Sequence, residues 1–338
     1  MTSIPIDDAA LAEARRFNRL LSFLPRFTIR NRFTPKLVQS LLRLSQTGGE
    51  RSLRRAGIEL EHAHAPGEPP VPLRILRPAG RPRVLILDFH GGGWAIGNAA
   101  MNDRLNAAFV TACDAVVVSV DYRLAPATPL EGMLADCVAA ARWVLADGLP
   151  GCAGLPIIVV GESAGAHLAA ATMLELQRWP ALLTRISGAV MYYGVYDLCG
   201  TDSARKAGAD TVVLNGPDLV PALARLTPHL NDAERRLPPL SPLYGDLTGL
   251  PPALLIAGES DPLIDDTRLM AAKWGAAAPV ELQLLPQAPH GFIRFPTRMA
   301  ALTRAWVHAW INATVAEGRS HNLEEPRLSQ QGGLAPRA

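Results

Sequence analysis

The stretch that decides the fold is an apolar run followed by a G-x-S-x-G motif, Ile157-Ile158-Val159-Val160-Gly161-Glu162-Ser163-Ala164-Gly165. A strand that is apolar on both faces is typical of the centre of a parallel sheet with helices on both sides. In a G-x-S-x-G turn, small residues let the chain pass sharply from strand to helix and lift the serine oxygen clear of the backbone. The stretch therefore predicts a nucleophilic Ser163 in a three-layer α/β domain.

Other short apolar runs alternate with helical spans on either side of this motif. They predict further strands near 71–77, 84–89, 115–120, 187–192, 253–257 and 280–285, with the central one at 156–160. Such alternation is the sequence form of a mostly parallel sheet with helices on both faces. At 338 residues the chain is long enough for one such domain with an accessory helical part.

The predicted domain, 56–317, is preceded by a helical segment, 1–55. Phe17, Leu20, Leu21 and Leu24 recur at helical spacing and predict one apolar helix face, which Pro25 ends. A second helix is predicted to begin at Thr34, with Pro35 in its first turn, and the residues from Gly48 to Arg55 are interpreted as a linker.

Two more segments depart from the strand pattern. Residues 198–241 are rich in Leu, Asp and Pro and predict an inserted helical segment that packs with the N-terminal helices as a cap. The polar residues 318–338 predict a disordered tail.

Composition limits the function classes. A net charge of +2 argues against nucleic acid as a partner, although residues 1–55 are locally basic. Four cysteines without C-x-x-C spacing indicate neither a zinc site nor a redox motif. The sequence shows neither a secretory signal pattern nor a long apolar span, so we expect a cytoplasmic protein without stable membrane insertion. The choice between a monomer and a homodimer stays open.

A glycine run follows the predicted strand 84–89, in His90-Gly91-Gly92-Gly93-Trp94. Glycines leave backbone N–H groups unshielded, and such groups can stabilise an oxygen that becomes negative when a carbonyl is attacked. A further donor is the N–H of Ala164, at the positive end of the helix that follows Ser163. These residues predict an oxyanion hole.

Of the eight histidines, His290 has the position expected of a general base. It lies in a loop between the last predicted strand and the final helix, at the sheet edge where functional side chains converge. The others fall in predicted linker, tail, cap or helix positions or open the glycine run: His62, His64, His90, His167, His229, His308 and His321.

The acid that orients this histidine should lie between Ser163 and His290 in the chain. Asp261 follows the predicted strand 253–257, and Pro262 stiffens the turn that holds it. Glu259, Asp265 and Asp266 are rivals that periodicity does not separate.

Five segments together resemble the hormone-sensitive-lipase-like esterases of the α/β-hydrolase superfamily. They are His90-Gly91-Gly92-Gly93-Trp94, Asp121-Tyr122-Arg123-Leu124-Ala125-Pro126, Gly161-Glu162-Ser163-Ala164-Gly165, Asp261-Pro262-Leu263-Ile264-Asp265 and His290-Gly291-Phe292. The resemblance implies an α/β-hydrolase fold with an eight-stranded sheet and a helical cap.

The resemblance also implies roles for individual residues. It favours Asp261 over its rivals and places Gly92, Gly93 and Ala164 in the oxyanion hole. By the same analogy, His90 and Arg123 support the scaffold.

One residue and two segments depart from the family's pattern. Glu162 stands where Asp is more frequent, and the segments 127–132 and 98–101 differ from the usual ones. A supporting contact and the substrate preference are therefore expected to differ from those of typical members.

The function predicted is hydrolysis of short- to medium-chain carboxylic esters through an acyl-enzyme intermediate. The same machinery cleaves amides, lactones or long-chain lipid esters, and a non-catalytic small-molecule-binding relative is a further alternative. No cofactor or metal is expected, because the chain itself supplies the nucleophile, the base and the oxyanion donors.

Overall fold

A computed structural model describes residues 3–27, 38–42, 44 and 46–324 of the chain, with side chains as far as residue 317. Within these residues, eight strands form one sheet in the order β1-β2-β4-β3-β5-β6-β7-β8. The strands are β1 (Ile58–Ala65), β2 (Val71–Pro78), β3 (Val84–Phe89), β4 (Ala115–Val120), β5 (Ile157–Glu162), β6 (Ile186–Tyr192), β7 (Ala253–Gly258) and β8 (Val280–Leu285). β2 is antiparallel to both β1 and β4, and the remaining neighbours are parallel.

The predicted α/β fold with an eight-stranded, mostly parallel sheet is confirmed. All seven strands predicted from apolar runs are present, but that pattern missed β1. Exposed and partly buried residues fill most of this edge strand, which has the sequence Ile-Glu-Leu-Glu-His-Ala-His-Ala. The assignment of His62 and His64 to a linker was therefore wrong, because both lie in β1.

Helices cover both faces of the sheet. They are α1 (Asp8–Leu21), α2 (Gly49–Arg55), α3 (Asp103–Cys113), α4 (Leu130–Leu145), α5 (Ala164–Leu176), α6 (Pro180–Leu183), α7 (Asp202–Lys206), α8 (Gly216–Leu226), α9 (Asp232–Arg235), α10 (Ile264–Gly275) and α11 (Arg298–Glu324). Short 3₁₀ helices span Ala99–Asn102, Pro242–Tyr244 and Phe292–Arg294. No helix of the described residues is both long and apolar enough to cross a bilayer.

Two hydrophobic cores lie on opposite faces of the sheet. Successive side chains of a strand point to opposite faces, and in β3 Leu85 and Leu87 enter the core beneath α4 and α5 while Val84 and Ile86 enter the core beneath α3 and α11. The central strands β3, β4 and β5 are buried along their whole length. This burial on both faces explains their continuous apolar sequence.

The N-terminal segment and the insertion 198–241 meet in the structure. The insertion contains α7, α8 and α9. The backbone N–H of Phe27 donates to the carbonyl of Val213, and the N–H of Asn215 donates to the carbonyl of Phe27. The two segments that the sequence assigns to a cap are thus joined by main-chain hydrogen bonds.

Three details of the N- and C-terminal predictions differ from the structure. The predicted apolar face of α1 was wrong, because Leu20 and Leu24 are exposed and the helix buries the small Ala10 and Ala14 instead. Residues 49–55 form α2 rather than a linker, because Leu53 is buried in the core. Residues 318–324 of the predicted tail are helical, since α11 extends to Glu324, and the rest of that predicted tail lies outside the described residues. The predicted helix start at Thr34 lies outside the described residues.

Candidate active site

Ser163 occupies a sharp turn between β5 and α5. Its backbone angles, φ 55° and ψ −119°, lie in a region that residues other than glycine rarely adopt. Such strain persists where the surroundings enforce it. A Cβ atom on Gly161 would lie 2.6 Å from the Cα of Ala166, and one on Gly165 would lie 2.0 Å from the carbonyl oxygen of Phe89. Gly161 therefore allows the turn to close on the start of α5, and Gly165 allows it to pack against the end of β3.

The structure brings Ser163, His290 and Asp261 together, although they are far apart in the sequence. Nε2 of His290 lies 2.8 Å from Oγ of Ser163, and Nδ1 lies 2.8 Å from Oδ2 of Asp261. A carboxylate only accepts hydrogen bonds, so Nδ1 carries a proton and Nε2 is left to accept the serine proton. Both His290 and Asp261 are buried. The arrangement can remove a proton from a serine hydroxyl.

The loops after β7 and β8 hold the acid and the base in contact. The N–H of Ser260 donates to the carbonyl of Ala288 over 3.0 Å, and a Cβ atom on Gly258 would lie 1.9 Å from that oxygen. Within its own loop, Asp261 accepts a hydrogen bond on Oδ1 from the N–H of Leu263 at 2.9 Å. This bond leaves Oδ2 facing His290.

The three other acids considered for the role of Asp261 lie in different environments and do not contact His290. Glu259 is exposed, and Asp265 forms an ion pair with Arg268. Asp266 is buried and accepts hydrogen bonds from the backbone N–H groups of Tyr196 and Asp197. Burial raises the pKa of Asp266 to about 7 despite these bonds. Only Asp261, among these four acids, contacts His290 in the structure.

The glycine run lies beside the serine turn. A Cβ atom on Gly91 would lie 3.0 Å from the carbonyl oxygen of Glu162, so the two loops pack directly on each other. Gly92 and Gly93 have φ angles of 116° and 57°, and a Cβ on Gly92 would lie 2.1 Å from the oxygen of Ile96. Both glycines line the same cavity as Ser163 and His290.

Ala164 is the first residue of α5. The first N–H groups of a helix have no partner within it and lie at the positive end of its dipole. The N–H of Ala164 is thus suited to donate to an anion next to Ser163.

Two other buried histidines near the site have structural partners. The indole N–H of Trp94 donates to Nδ1 of His167, and Nε2 of His167 lies 2.7 Å from the carbonyl of Leu240. The ring of His90 is stacked on Tyr122, and its Nδ1 lies 2.7 Å from the carbonyl oxygen of Gly91. Burial lowers the pKa of each of these histidines to about 4, so both are neutral at physiological pH.

A cavity of about 600 Å³ lies over Ser163. Small-molecule sites typically measure ~300–1,000 Å³ and are mostly apolar. Here the two segments predicted to form a cap supply much of the apolar lining, with Phe27 from the N-terminal segment and Val213, Leu214, Leu219 and Leu223 from the insertion. The cavity is therefore enclosed between the sheet edge on one side and the N-terminal segment and the insertion on the other.

The altered segment 127–132 carries a contact to the cap. Glu131 lies 2.9 Å from Nε2 of His229, which also lines the cavity. Nearby, Arg123 forms an ion pair with the buried Asp136 at 2.7 Å, and its guanidinium N–H groups donate to both carboxylate oxygens. Arg123 thus fastens the segment after β4 to α4, in keeping with the scaffold role that the resemblance implies.

Sequence reasoning missed Arg294 and Tyr193. Arg294 forms an ion pair with Glu162, the residue before the serine, and the hydroxyl of Tyr193 donates to the same carboxylate. The ring of Tyr193 lies 4.8 Å from that of His290. The only signals in the sequence were the unusual glutamate in the serine motif and an arginine four residues after His290.

Residues 86–294 match the family model of the α/β-hydrolase fold. The chain belongs to the α/β-hydrolase family. A carboxylesterase of Mycobacterium tuberculosis, NlhH, is 33% identical over 229 residues, which cover 65% of this α/β hydrolase and 70% of the relative. An acetyl-hydrolase of Streptomyces hygroscopicus is 34% identical over 219 residues, 64% of this chain and 70% of the relative.

Solved structures extend the similarity to nearly the whole α/β hydrolase. An esterase of Pyrobaculum calidifontis superimposes with a TM-score of 0.75 at 26% identity, covering 91% of this chain and 99% of the other. A hormone-sensitive lipase from a metagenome library has a TM-score of 0.72 at 27% identity, with 93% and 100% covered. The resemblance to hormone-sensitive-lipase-like esterases is confirmed. Among the described residues, no group of three or more His, Cys, Asp or Glu side chains is arranged to hold a metal ion.

Proposed function

We propose that this α/β hydrolase is a carboxylesterase that cleaves short- to medium-chain acyl esters through Ser163, His290 and Asp261. The observation that carries the proposal is the unbroken pair of 2.8 Å contacts from the serine oxygen through the imidazole to the carboxylate. The relatives named carboxylesterase, acetyl-hydrolase and esterase support the ester bond as the target.

In the first half-reaction, Nε2 of His290 takes the proton of the Ser163 hydroxyl as Oγ bonds to the ester carbonyl carbon. The carbonyl π electrons move to its oxygen, which the N–H groups of Gly92, Gly93 and Ala164 stabilise. Each such donor contributes about 2.7–4 kcal/mol to the transition state in comparable enzymes. The tetrahedral intermediate collapses when the C–O bond to the alcohol breaks, and His290 returns the proton to the departing oxygen.

In the second half-reaction, water replaces the alcohol. His290 takes a proton from the water as its oxygen bonds to the acyl carbon, and the same N–H groups stabilise the second oxyanion. The bond to Ser163 Oγ then breaks, and the serine regains its proton from His290. Asp261 stabilises the imidazolium in both halves through the bond to Nδ1.

The size and lining of the cavity support a small-molecule ester as the substrate. Its apolar cap residues would hold the acyl or alcohol group next to Ser163. Turnover of p-nitrophenyl esters from acetyl to palmitoyl, with and without detergent, tests the preference. We expect the highest kcat/KM at or below octanoyl, and a maximum at palmitoyl would contradict the short- to medium-chain assignment.

The nucleophile is tested by Ser163→Ala. We expect kcat on p-nitrophenyl butyrate to fall on the order of 10⁶-fold, because no other group takes over the covalent step. The far-UV circular dichroism spectrum should not change. Ser52→Ala, at an exposed serine in α2, is the matched control and should retain full activity.

Three further measurements on the wild type and Ser163→Ala separate the alternative functions. A p-nitrophenyl phosphonate should add one phosphonyl group to the wild type, seen in the intact mass, and none to Ser163→Ala. Ligand binding without turnover of any activated ester would favour a non-catalytic binding protein instead. Faster turnover of anilides or lactones than of matched esters would assign the same machinery to another bond.

A further inference from the structure

We propose that Arg294 is a positioning residue of this active site, which ties the His290 loop to the serine turn and to the segments on either side of the glycine run, and balances the charge of Glu162 beside His290. The proposal rests on the catalytic roles of Ser163 and His290 given above. It concerns residues outside the triad and the oxyanion hole.

One end of the network joins the base to the nucleophile. Arg294 lies in the short 3₁₀ helix that follows His290. Its Nε donates to both carboxylate oxygens of Glu162, at 2.7 and 2.9 Å. Glu162 is the last residue of β5 and directly precedes Ser163. A displacement of the histidine loop relative to the serine would therefore break these bonds.

The other end reaches the segments on either side of the glycine run. Nη1 of Arg294 donates to the carbonyl of Met101 at 3.1 Å, and Nη2 bonds to the side-chain oxygen of Asn102. The amide of Asn102 donates in turn to Asp88, at 2.9 Å, in the strand that leads into the glycines. A planar guanidinium with five donors in fixed directions can make all these bonds at once, whereas a lysine ammonium cannot.

The charge of Arg294 also controls the field at the imidazole. Burial by itself would raise the pKa of Glu162, but the neighbouring Arg294 charge and its hydrogen bonds bring that pKa below its usual value. Glu162 is therefore a buried anion, and it interacts electrostatically with His290.

Five groups that carry charge or titrate surround His290. Asp261 and Ser163 bond to its two nitrogens, the ring of Tyr193 packs against it, and the Glu162–Arg294 pair lies behind the serine turn. The pair is neutral as a whole. Without the arginine, burial would raise the pKa of Glu162, but wherever its carboxylate is still ionised it would favour the imidazolium, and a protonated His290 cannot accept the serine proton.

The test is the pH dependence of kcat/KM for p-nitrophenyl butyrate in four variants of the full chain. Arg294→Met should move the acid limb of the pH profile to higher pH, by up to about one unit, because the ionised Glu162 carboxylate then attracts the protonated base with no neighbouring cation to offset it. Glu162→Gln should move it down by a similar amount, because the positive Arg294 then faces the imidazole alone. The double variant Glu162→Gln/Arg294→Met should return the limb to within about 0.3 unit of the wild type.

Arg294→Lys separates positioning from charge. It keeps the positive charge, so the acid limb should stay in place, while kcat at the optimum should fall about tenfold because the fork to Glu162, Met101 and Asn102 is lost. An unchanged kcat in this variant would refute the positioning role. Acid limbs that coincide in all variants would refute the charge role.

The design remains decisive if a variant is poorly folded. If Arg294→Met does not yield folded protein, comparison of Glu162→Gln with the double variant still reports the effect of the arginine charge. The acid limb of the double variant should then lie at higher pH than that of Glu162→Gln. Failure of the proposed function itself would appear separately, as retained activity in Ser163→Ala. If Ser163→Ala loses activity but the acid limb does not shift in the Arg294 and Glu162 variants, only the charge role of Arg294 is rejected.

Discussion

The sharpest prediction concerns Asp261→Asn, because the structure fixes which oxygen of the side chain faces the base. Oδ1 accepts the N–H of Leu263 at 2.9 Å, so an asparagine keeps its amide oxygen there and turns its NH₂ group toward His290. Nδ1 must then accept a hydrogen bond rather than donate one. The imidazole proton moves to Nε2, where it blocks removal of the Ser163 proton.

The expected loss in kcat is about 10⁴-fold, the effect of the wrong tautomer in a comparable triad. That loss corresponds to about 5.4 kcal/mol in activation free energy, at about 1.36 kcal/mol for each factor of ten. The substitution is nearly isosteric and keeps the bond to Leu263, so the thermal midpoint should change little.

The assay is kcat for p-nitrophenyl butyrate at neutral pH, with the melting temperature measured in parallel. Glu259→Gln is the matched control, because Glu259 lies two residues away but is exposed. It should stay within about twofold of the wild type. If Asp261→Asn kept more than a tenth of the wild-type kcat, or if Glu259→Gln lost activity instead, the assignment of the orienting acid would be wrong.

Three further substitutions test the oxyanion hole, the serine turn and a buried acid. Gly92→Ala should lower kcat about 10²–10³-fold with a smaller change in KM, because a Cβ 2.1 Å from the Ile96 oxygen forces the backbone donor away; stopped-flow acylation rates check this. Gly165→Ala should reduce soluble yield and melting temperature sharply, because its Cβ would lie 2.0 Å from the Phe89 oxygen; thermal unfolding measures it, and a melting temperature equal to the wild type would contradict the close packing. The pKa of Asp266 is raised from 3.8 to about 7 by burial, so the folded state binds this proton more tightly and the contribution to stability is lost as pH rises through about 7. Asp266→Asn cannot ionise, so its stability relative to the wild type should rise by about 1.4 kcal/mol per pH unit between pH 5 and about 7 and then level off, as measured by urea unfolding at several pH values.

Much of the fold follows from local patterns. Central strands such as β3 and β5 are buried on both faces, so their sequences are continuously apolar and could be recognised without coordinates. The edge strand β1 escaped recognition because it has only one neighbouring strand and is mostly exposed or partly buried, so it carries no continuous apolar run. In α1 the apolar periodicity was misleading, because alanines rather than leucines face the body of the protein.

The candidate site was predictable where a residue type carries its own constraint. Gly92 and Gly165 stand at positions where any side chain would collide with backbone, and such requirements mark a motif in the sequence. Asp261 could not be separated from Glu259, Asp265 and Asp266 by pattern, because four acids within eight residues differ only in which way their side chains point.

The sequence by itself determined the layer architecture and the serine turn and singled out His290 as the proposed base, because each depends on residues adjacent in the chain or on backbone geometry. Only the tertiary structure decided which acid meets His290, how Arg294 pairs with Glu162, and where the cap encloses the cavity. These features depend on directions and distances between segments far apart in the chain. Hydrogen bonds and ion pairs require contacts within about 3 Å, and sequence spacing alone does not specify separations so small.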